Sequence, residues 1–329
     1  MRQTCLNMVY DLAKRDERVV FVGSDLSPGL LADMKRDMPE RWYMEGITEQ
    51  NLIGMSAGLA KEGYIPYANT IATFITRRCY EQVAVDLCLH DLPVRLIANG
   101  GGLVYAPLGP THLAIEDIAI MRALPNMTVT AVCDAKEMIR LMNATLDWPH
   151  PIYIRLAKGG DPVVSRDELG FAIGKAIPMR RVRSRHPAVL MSTGVMTTNS
   201  LAAAELLAKD GIDVSVVHFH TIKPLDEAAV LDFARGADLV VTVEEGIRIG
   251  GLGSAITDVL VEHLGTSAPP IRRLGLPDEF PHNYGLQDDL FDIYGLMPAQ
   301  IAASVRSALK DKVAAEVAAV NASVAARAR

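Results

Sequence analysis

Short apolar runs alternate with longer stretches of helical periodicity in the first half of the chain. The runs at 18–23, 94–98, 127–132 and 152–156 are predicted to be buried strands, and the stretches at 49–63 and 135–146 are predicted to be helices. Strands of about five residues separated by helices are typical of a parallel sheet that helices cover on both faces. The pattern therefore predicts an α/β domain over residues 1–157.

The same alternation returns after residue 186 and predicts a second α/β domain over 187–310. Its strands are expected at 188–192, 214–217 and 239–243, and its helices at 200–210, 227–234, 252–264 and 299–309. The segment 158–186 is rich in glycine, proline and arginine, so it is interpreted as a linker, with a strand at 171–177 as an alternative. Residues 311–329 form an alanine-rich tail. The predicted fold class is α/β, with two mostly parallel β-sheets covered by helices.

Composition excludes several classes of protein. Half of the 329 residues are hydrophobic, and 33 basic against 39 acidic side chains give a net charge of −6. A disordered chain has fewer aliphatic residues and more charge, and a dedicated nucleic-acid-binding protein usually has a positive excess. One basic cluster lacks interleaved aromatic residues and is interpreted as a solvated linker. Its members are Arg180, Arg181, Arg183 and Arg185.

The cysteines and the N-terminus indicate the compartment. None of the four cysteines forms a Cys-x-x-Cys pair, so zinc and redox motifs have no support. The N-terminus has no apolar signal core, and no apolar run reaches the ~18 residues that span a bilayer. We expect a soluble cytoplasmic protein with no membrane or nucleic-acid partner.

Glu49 is the first candidate for chemistry, because Thr48 is a plausible N-cap that places it in the first turn of a helix. The simple interpretation is that this carboxylate complements the helix dipole. The alternative rests on Gly54, Ala57 and Gly58, whose small side chains let another backbone or a planar ligand approach the helix. A carboxyl group in such an apolar setting can share a proton with a partner.

Phe74 is the second candidate, as a ring beside polar residues in a chain that is only 5% aromatic. Core packing is the simpler interpretation, and a platform on which a flat heterocycle stacks is the alternative.

His112 is the third candidate. It ends a loop rich in glycine and proline, 100–112, that follows a predicted strand and so lies at the carboxyl edge of the sheet. Open α/β sheets bind ligands at that edge, and histidine exchanges protons near neutral pH.

A fourth feature, 250–254, resembles half of a phosphate-binding loop, but Ile256 breaks G-x-G-x-x-G, so dinucleotide binding has weak support.

Taken in order, these residues resemble the transketolase family. The segments 46–51, 74 with 78–82, 109–112 and 124–127 are similar to its pyrimidine-binding domain, and 221–226, 244–246 and 250–254 to its C-terminal domain. The resemblance covers about residues 1–310. It extends, less closely, to deoxyxylulose-phosphate synthases and the β subunits of keto-acid dehydrogenases.

The resemblance implies a thiamine diphosphate enzyme, in which the cofactor acts as electron sink. Glu49 matches the acid that hydrogen-bonds the aminopyrimidine ring, and Phe74 matches the ring that stacks on it. Arg78 and Asp25 are assigned with them to the cofactor, Asp25 at the subunit interface. His112 matches a histidine that contacts the donor and helps proton transfer. The remaining substrate-binding candidates, where family members hold phosphate, are Arg2 and Arg155.

One motif of the family is missing. Full-length transketolases begin with a domain that holds the diphosphate and Mg²⁺ through a Gly-Asp-Gly motif, and this sequence contains no Gly-Asp-Gly. The resemblance therefore implies a split transketolase. In it this chain is the C-terminal subunit, holds no metal itself, and works with an N-terminal subunit as an α2β2 assembly. The alternatives are a β subunit of a 2-oxo-acid dehydrogenase and a non-catalytic scaffold.

Three positions depart from the sugar-phosphate enzymes of the family. Leu108 stands where they have an acid, Gly100 where they have a histidine, and Gly29 where a serine helps to bind phosphate. A lost hydrogen-bond partner costs about 1–3 kcal/mol in discrimination. We therefore expect a substrate pair other than the standard pentose phosphates. A second cofactor aromatic is replaced by Ile71.

Overall fold

Two mostly parallel β-sheets, each covered by helices, make up the computed structural model of the chain, which confirms the predicted fold class. The structure describes residues 1–24, 29, 31–182 and 188–327, with side chains up to 312 and at 314. In the described ranges no helix is both long enough and apolar enough to cross a membrane.

The first sheet has seven strands in the order β10-β5-β6-β4-β3-β1-β2, and all of its pairings are parallel except that of β10 with β5. The second sheet has five strands in the order β12-β11-β8-β9-β7, with β7 antiparallel to β9. The strands are β1 (Val19–Gly23), β2 (Trp42–Met44), β3 (Ile65–Ile71), β4 (Arg95–Asn99), β5 (Thr128–Ala131), β6 (Ile152–Leu156), β7 (Ile177–Arg180), β8 (Ala188–Ser192), β9 (Val214–His218), β10 (Thr221–Lys223), β11 (Val240–Ile247) and β12 (Ile271–Leu276).

The helices follow the predicted alternation and add several short elements. Those of the described ranges are α1 (Arg2–Arg15), α2 (Ala32–Asp37), α3 (Glu49–Lys61), α4 (Ala72–Thr76), α5 (Tyr80–Gln82), α6 (Asp117–Ala123), α7 (Ala135–Thr145), α8 (Met196–Lys209), α9 (Glu227–Arg235), α10 (Leu252–Leu264), α11 (Gln287–Ile293) and α12 (Pro298–Arg327). Between α4 and α5 lies a 3-10 turn, Arg77–Cys79, and α5 continues into a π-helical turn, Val83–Cys88. The predicted tail is thus the continuation of α12.

Two edge strands connect the halves of the chain more closely than the predicted division implies. β7 lies inside the segment 158–186 that was interpreted as a linker, and it closes one edge of the second sheet. β10 comes from the second half of the chain but pairs with β5 in the first sheet. An antiparallel strand can be added to the edge of a parallel sheet without a crossover helix. The predicted boundaries at 157 and 187 therefore separate elements that share sheets.

The carboxyl ends of β3 and β4 position the candidate residues. The helical run that begins with α4 follows β3 directly, and the loop to His112 follows β4. Both ends lie at one edge of the sheet because β3 and β4 pair in parallel. The predicted location of these residues follows from this register.

Candidate active site

Glu49 is a buried carboxylate at the start of α3, with 2% of its surface exposed. Its Oε2 accepts a hydrogen bond of 2.8 Å from Arg78 Nη1, and its Oε1 faces the hydroxyl of Thr70 at 3.4 Å. Thr48 occupies the N-cap position as predicted, but its hydroxyl donates to the carbonyl of Glu45 and makes no side-chain cap. Glu49 therefore has one strong charged partner, and its Oε1 retains capacity to accept.

Three side chains form a chain of contacts that begins at Glu49: Arg78 of the 3-10 turn, Phe74 of α4 and His112 of the loop after β4. The guanidinium carbon of Arg78 lies 4.0 Å from the centre of the Phe74 ring, a cation–π contact. The His112 ring meets the Phe74 ring at 5.4 Å with an interplanar angle of 65°. Arg78 thus joins Glu49 to Phe74, and Phe74 joins Arg78 to His112. The structure brings four of the predicted site residues into one cluster.

The glycines of α3 leave one side of the helix uncovered. A Cβ added at Gly54 or Gly58 would meet no atom within 4 Å, and both residues are exposed. Ala57, which was grouped with them, instead packs in the hydrophobic core. The expected room for close approach therefore exists along Gly54 and Gly58.

Arg2 lies at the first position of α1 and is partly buried. Among the described residues its Nε and Nη2 atoms are buried without a hydrogen-bond partner. Burial raises the pKa of the nearby Tyr105 phenol, and the positive charge of Arg2 opposes that rise. Arg2 therefore keeps three N–H groups, one on Nε and two on Nη2, that no described residue accepts. Asp25 lies outside the described residues.

Arg155 does not fit the predicted role of a phosphate ligand. It is buried at the carboxyl half of β6, where Nε donates to Asp117 at 2.8 Å. Its Nη2 donates to the carbonyls of Ala114 and Glu245, and Nη1 lies 4.0 Å from Glu245 Oε2. A phosphate here would add negative charge beside two carboxylates. The correction is that Arg155 joins the two domains, because its hydrogen bonds are made within the chain.

The loop at 250–254 is filled by the chain itself. Oxygens of Glu244 accept hydrogen bonds of 2.8 Å from the amides of Leu252 and Gly253, at the start of α10. Burial raises the pKa of Glu244 to about 7, and the two amide hydrogen bonds oppose that rise. An internal carboxyl group therefore occupies the position that a phosphate would take, so these amides offer no site for a dinucleotide phosphate.

The three positions that depart from the family have different surroundings. A Cβ at Gly100 would overlap the ring of Tyr105, and the residue has φ +73. Leu108 is 51% exposed, and a Cβ at Gly29 would meet nothing within 4 Å. A histidine at position 100 therefore needs Tyr105 to move, whereas positions 29 and 108 have room for other side chains.

The sequence did not predict the residues that support the cluster. Thr70, near the end of β3, lies beside Glu49. Arg77 pairs with Glu116 and donates to the carbonyl of Leu113 at 2.9 Å. Arg77 stands next to Arg78 in the sequence, so the Arg-Arg pair was the available signal. Glu116 carried none, because its partner is 39 residues away.

A second polar cluster lies between the domains. In the described part of the chain, Cys133, Glu137 and His218 form one buried group with ligand-type atoms close enough to share a metal ion. His218 Nε2 already meets Glu137 Oε2 at 2.8 Å, and its Nδ1 meets Thr197 Oγ1 at 2.7 Å. These contacts account for the cluster as a hydrogen-bonded group within the chain.

Comparison with known proteins identifies two domain families. Residues 1–160 match the model of the transketolase pyrimidine-binding domain, and residues 178–301 match that of the transketolase C-terminal domain. A transketolase family protein of Sinorhizobium fredii is 38% identical over 91% of this chain and 86% of its own length. A 6-deoxy-6-sulfo-D-fructose transketolase subunit of Clostridium sp. is 35% identical, with 92% of each chain covered.

Longer proteins and solved structures add to this picture. A 1-deoxy-D-xylulose-5-phosphate synthase of Gloeobacter violaceus is 36% identical over 91% of this chain, which spans 46% of that protein. A solved structure described as a split gene transketolase, inactive beta4 tetramer, superimposes with a TM-score of 0.85 at 33% identity. That match covers 94% of this chain and 98% of the other.

Proposed function

The chain belongs to the transketolase family, and we propose that it is the C-terminal subunit of a two-component, thiamine diphosphate-dependent transketolase. In this function a two-carbon ketol unit passes from a ketose to an aldose. The observation that carries the proposal is the buried Glu49 carboxylate, joined through Arg78 to the Phe74 ring with His112 at the ring's edge. A buried charged pair beside an accessible ring and an imidazole is typical of a functional site, and a non-catalytic scaffold does not need one.

The cluster fits the aminopyrimidine half of the cofactor. Glu49 Oε1 has spare acceptor capacity for a ring nitrogen, and the partly exposed Phe74 offers a stacking surface. Arg78, 39% exposed, now covers the Phe74 ring and pairs with Glu49. An aminopyrimidine held by Glu49 and Phe74 would need Arg78 to move off the ring face, and the exposed side of Arg78 leaves room for that movement.

The residues of this chain have separate tasks in the proposed reaction. When bound, thiamine diphosphate supplies an electron sink for the carbanion left by carbon–carbon cleavage. Glu49 holds or accepts a proton at its Oε1, in a setting from which water is excluded. His112 exchanges a proton with the donor's carbonyl oxygen, and its Nδ1 is oriented by the Thr111 hydroxyl at 2.9 Å. Arg2 binds an anionic group of the substrate through Nε and Nη2, which have no partner among the described residues.

The partner in this proposal is an N-terminal subunit that holds the diphosphate and Mg²⁺. Support comes from the Clostridium relative, a subunit that this chain matches over 92% of its length. We propose an α2β2 assembly and a cytoplasmic location. The four cysteines are buried and free, as expected for a reducing compartment. Loss of activity on removal of Mg²⁺ from the assembly tests the metal.

The substrate in this proposal is a sugar pair other than xylulose and ribose phosphates. Support comes from Gly100, where the Tyr105 ring excludes the histidine of sugar-phosphate enzymes, and from the exposed apolar Leu108. Near-standard turnover of xylulose 5-phosphate with ribose 5-phosphate would contradict this part of the proposal.

The test is turnover by the chain and its partner, produced together. Glu49→Gln is expected to lower kcat at least 100-fold while the two subunits still assemble, because one proton-transfer group contributes ~10²–10⁴ in rate. Glu62→Gln, at the exposed C-cap of the same helix, is the matched control and stays within twofold of wild type. Glu49→Gln with more than a tenth of the wild-type rate would favour the scaffold alternative.

Two further activity measurements separate the remaining alternatives. The purified chain alone, with cofactor, Mg²⁺ and a ketose donor, should be inactive, and appreciable turnover would refute the two-component proposal. Decarboxylation of a 2-oxo acid by the assembly, without ketol transfer, would favour a 2-oxo-acid dehydrogenase subunit instead.

A further inference from the structure

The loop that carries His112 is packed into the second domain. Four of its side chains belong to the same hydrophobic cluster as the second-domain residues of β8, β11, α11 and α12. They are Leu103, Ala106, Leu113 and Ile115. All four are at most 4% exposed. A shift of the second domain would therefore move this loop with it, because closely packed side chains transmit displacement.

The loop is closed at its base by one pair of residues. Gly102 and Ala114 exchange backbone hydrogen bonds of 2.9 and 3.1 Å, so residues 103–113 form a closed loop. His112 stands two residues before Ala114 of the closing pair. Any group that fixes this base also fixes the backbone from which the imidazole projects.

Glu245 of β11 holds the base from the second domain. Its Oε1 accepts a hydrogen bond of 2.7 Å from the amide of Leu103 and another of 2.7 Å from Gln287 Nε2. Its carbonyl accepts from Arg155, which also donates to the carbonyl of Ala114. One residue of the second domain is thus bonded directly to one end of the loop, at Leu103, and is linked to the other end, at Ala114, through Arg155.

The glycines of the loop make room for these contacts. A Cβ on any of three consecutive glycines would overlap one neighbouring side chain each. The pairs are Gly100 with Tyr105, Gly101 with Arg155, and Gly102 with Glu245. At the tip of the loop, a Cβ added to Gly109 would lie 2.6 Å from the ring of Tyr284. The carbonyl of Gly109 accepts a hydrogen bond of 3.0 Å from the amide of His112. Gly102 therefore serves packing between the domains, whereas Gly100 and Gly101 leave room for side chains of the first domain.

We propose that Glu245 is a positioning residue for His112, with Tyr284 as a second support at the tip of the loop. The inference rests on the proposed function, in which His112 contacts the donor. Glu49 and Phe74 are carried by α3 and α4 of the first domain, whereas the second domain sets where His112 lies relative to them. Alignment of the reacting groups thus depends on the contact between domains.

The neighbouring Glu244 provides a matched control. It is as deeply buried as Glu245, but its oxygens bind the start of α10 within the second domain. Glu244→Ala and Glu245→Ala therefore remove the same buried group from adjacent positions, and only the second removes a bond to the His112 loop. Glu245→Gln keeps an oxygen for the Leu103 amide and is the conservative variant.

Hydrogen–deuterium exchange of the full chain tests the anchoring without any substrate. Glu245→Ala is expected to speed exchange of the amides of 103–113 at least tenfold, and Glu245→Gln to leave them within threefold of wild type. Glu244→Ala should speed exchange at 250–256 and leave 103–113 unchanged. Unchanged exchange at 103–113 in Glu245→Ala overturns the inference.

Turnover of the assembly with its partner subunit tests the consequence. Glu245→Ala is expected to lower kcat/KM for the donor at least tenfold while the Kd for thiamine diphosphate stays within twofold, and Glu245→Gln to restore most of the rate. An equal fall in Glu244→Ala, or an unchanged rate in Glu245→Ala, overturns the inference. If the wild-type assembly has no ketol transfer, the proposed function fails, and the exchange result still reports on the loop.

Tyr284→Ala covers the case in which Glu245→Ala does not fold. Tyr284 is 67% exposed, so its truncation removes the contact at Gly109 and little of the core. We expect faster exchange at 106–112 and a fall of at least threefold in kcat/KM for the donor. Wild-type values of both quantities overturn the inference.

Discussion

The ionisation of Glu245 predicts how the stability of the chain depends on pH. Burial raises the pKa of this carboxyl group to about 7, although Arg155 opposes the rise. The folded chain therefore binds the proton more tightly than the unfolded chain, in which a glutamate titrates near 4.5. The contribution of this carboxyl group to stability is fully present below pH 4.5 and is lost as the pH rises through 7. Glu245→Gln removes this loss because an amide does not ionise.

The magnitude follows from the same two values. The difference between 4.5 and about 7, at about 1.4 kcal/mol per pH unit, corresponds to roughly 3 kcal/mol. The free energy of unfolding of Glu245→Gln, minus that of wild type, should rise by about this amount between pH 4.5 and pH 8. Gln keeps the oxygen that the Leu103 amide and Gln287 bind, so the change in pH dependence reports on charge.

The assay is urea unfolding at pH 4.5, 6 and 8, analysed as the difference between variant and wild type. A difference is needed because other buried groups act in the opposite direction. Burial lowers the pKa of His220 to about 4, so that group costs stability as the pH falls below 6.5. Glu262→Gln, exposed on α10, is the control and should run parallel to wild type. A variant curve parallel to wild type from pH 4.5 to 8 would refute the assigned ionisation of Glu245.

Three further substitutions test other parts of the structure. Asp134→Ala should cost about 3 kcal/mol in urea unfolding, because Asp134 caps α7 and also accepts both the amide and the hydroxyl of Ser165. Arg95→Met should cost about 3 kcal/mol by the same measurement, because it removes the donors from the carbonyls of Thr145, which ends α7, and of Trp148. Gly100→His should lower the melting temperature by several degrees and fail to create turnover of pentose phosphates, because the new side chain meets Tyr105 at a positive φ.

The strands that the sequence predicts best are those with a continuous apolar run. β4 and β6 are buried on both faces and were found within a residue of their bounds. β3 was missed, although it is central, because it contains Pro66 and Asn69, which argue against a strand. A side-chain hydrogen bond compensates for the low strand preference of Asn69: its Nδ2 donates to the carbonyl of Ile97 at 3.0 Å. Local pattern cannot show such a bond, because its acceptor is 28 residues away.

The candidate site likewise has a part that the sequence predicts and a part that only the fold shows. Glu49, Phe74 and Arg78 lie within 30 residues, so a local motif was enough to group them. Glu245 stands 142 residues after Leu103, and its role follows only from the packing of two domains. A pair of adjacent buried glutamates in an apolar strand was the available signal, since such groups need partners.

Arg155 shows why an arginine in a buried strand is a poor candidate for a ligand contact. In Ile152–Leu156 its neighbours are apolar on both sides, so folding places its charge in the interior before any substrate arrives. A buried guanidinium then needs acceptors from the chain, and Asp117 with the carbonyls of Ala114 and Glu245 supply them. Recognition of a substrate anion instead needs donors that folding leaves unpartnered. Arg2, at the first position of α1, has two such donor atoms among the described residues, and we propose it as the better candidate for the phosphate contact.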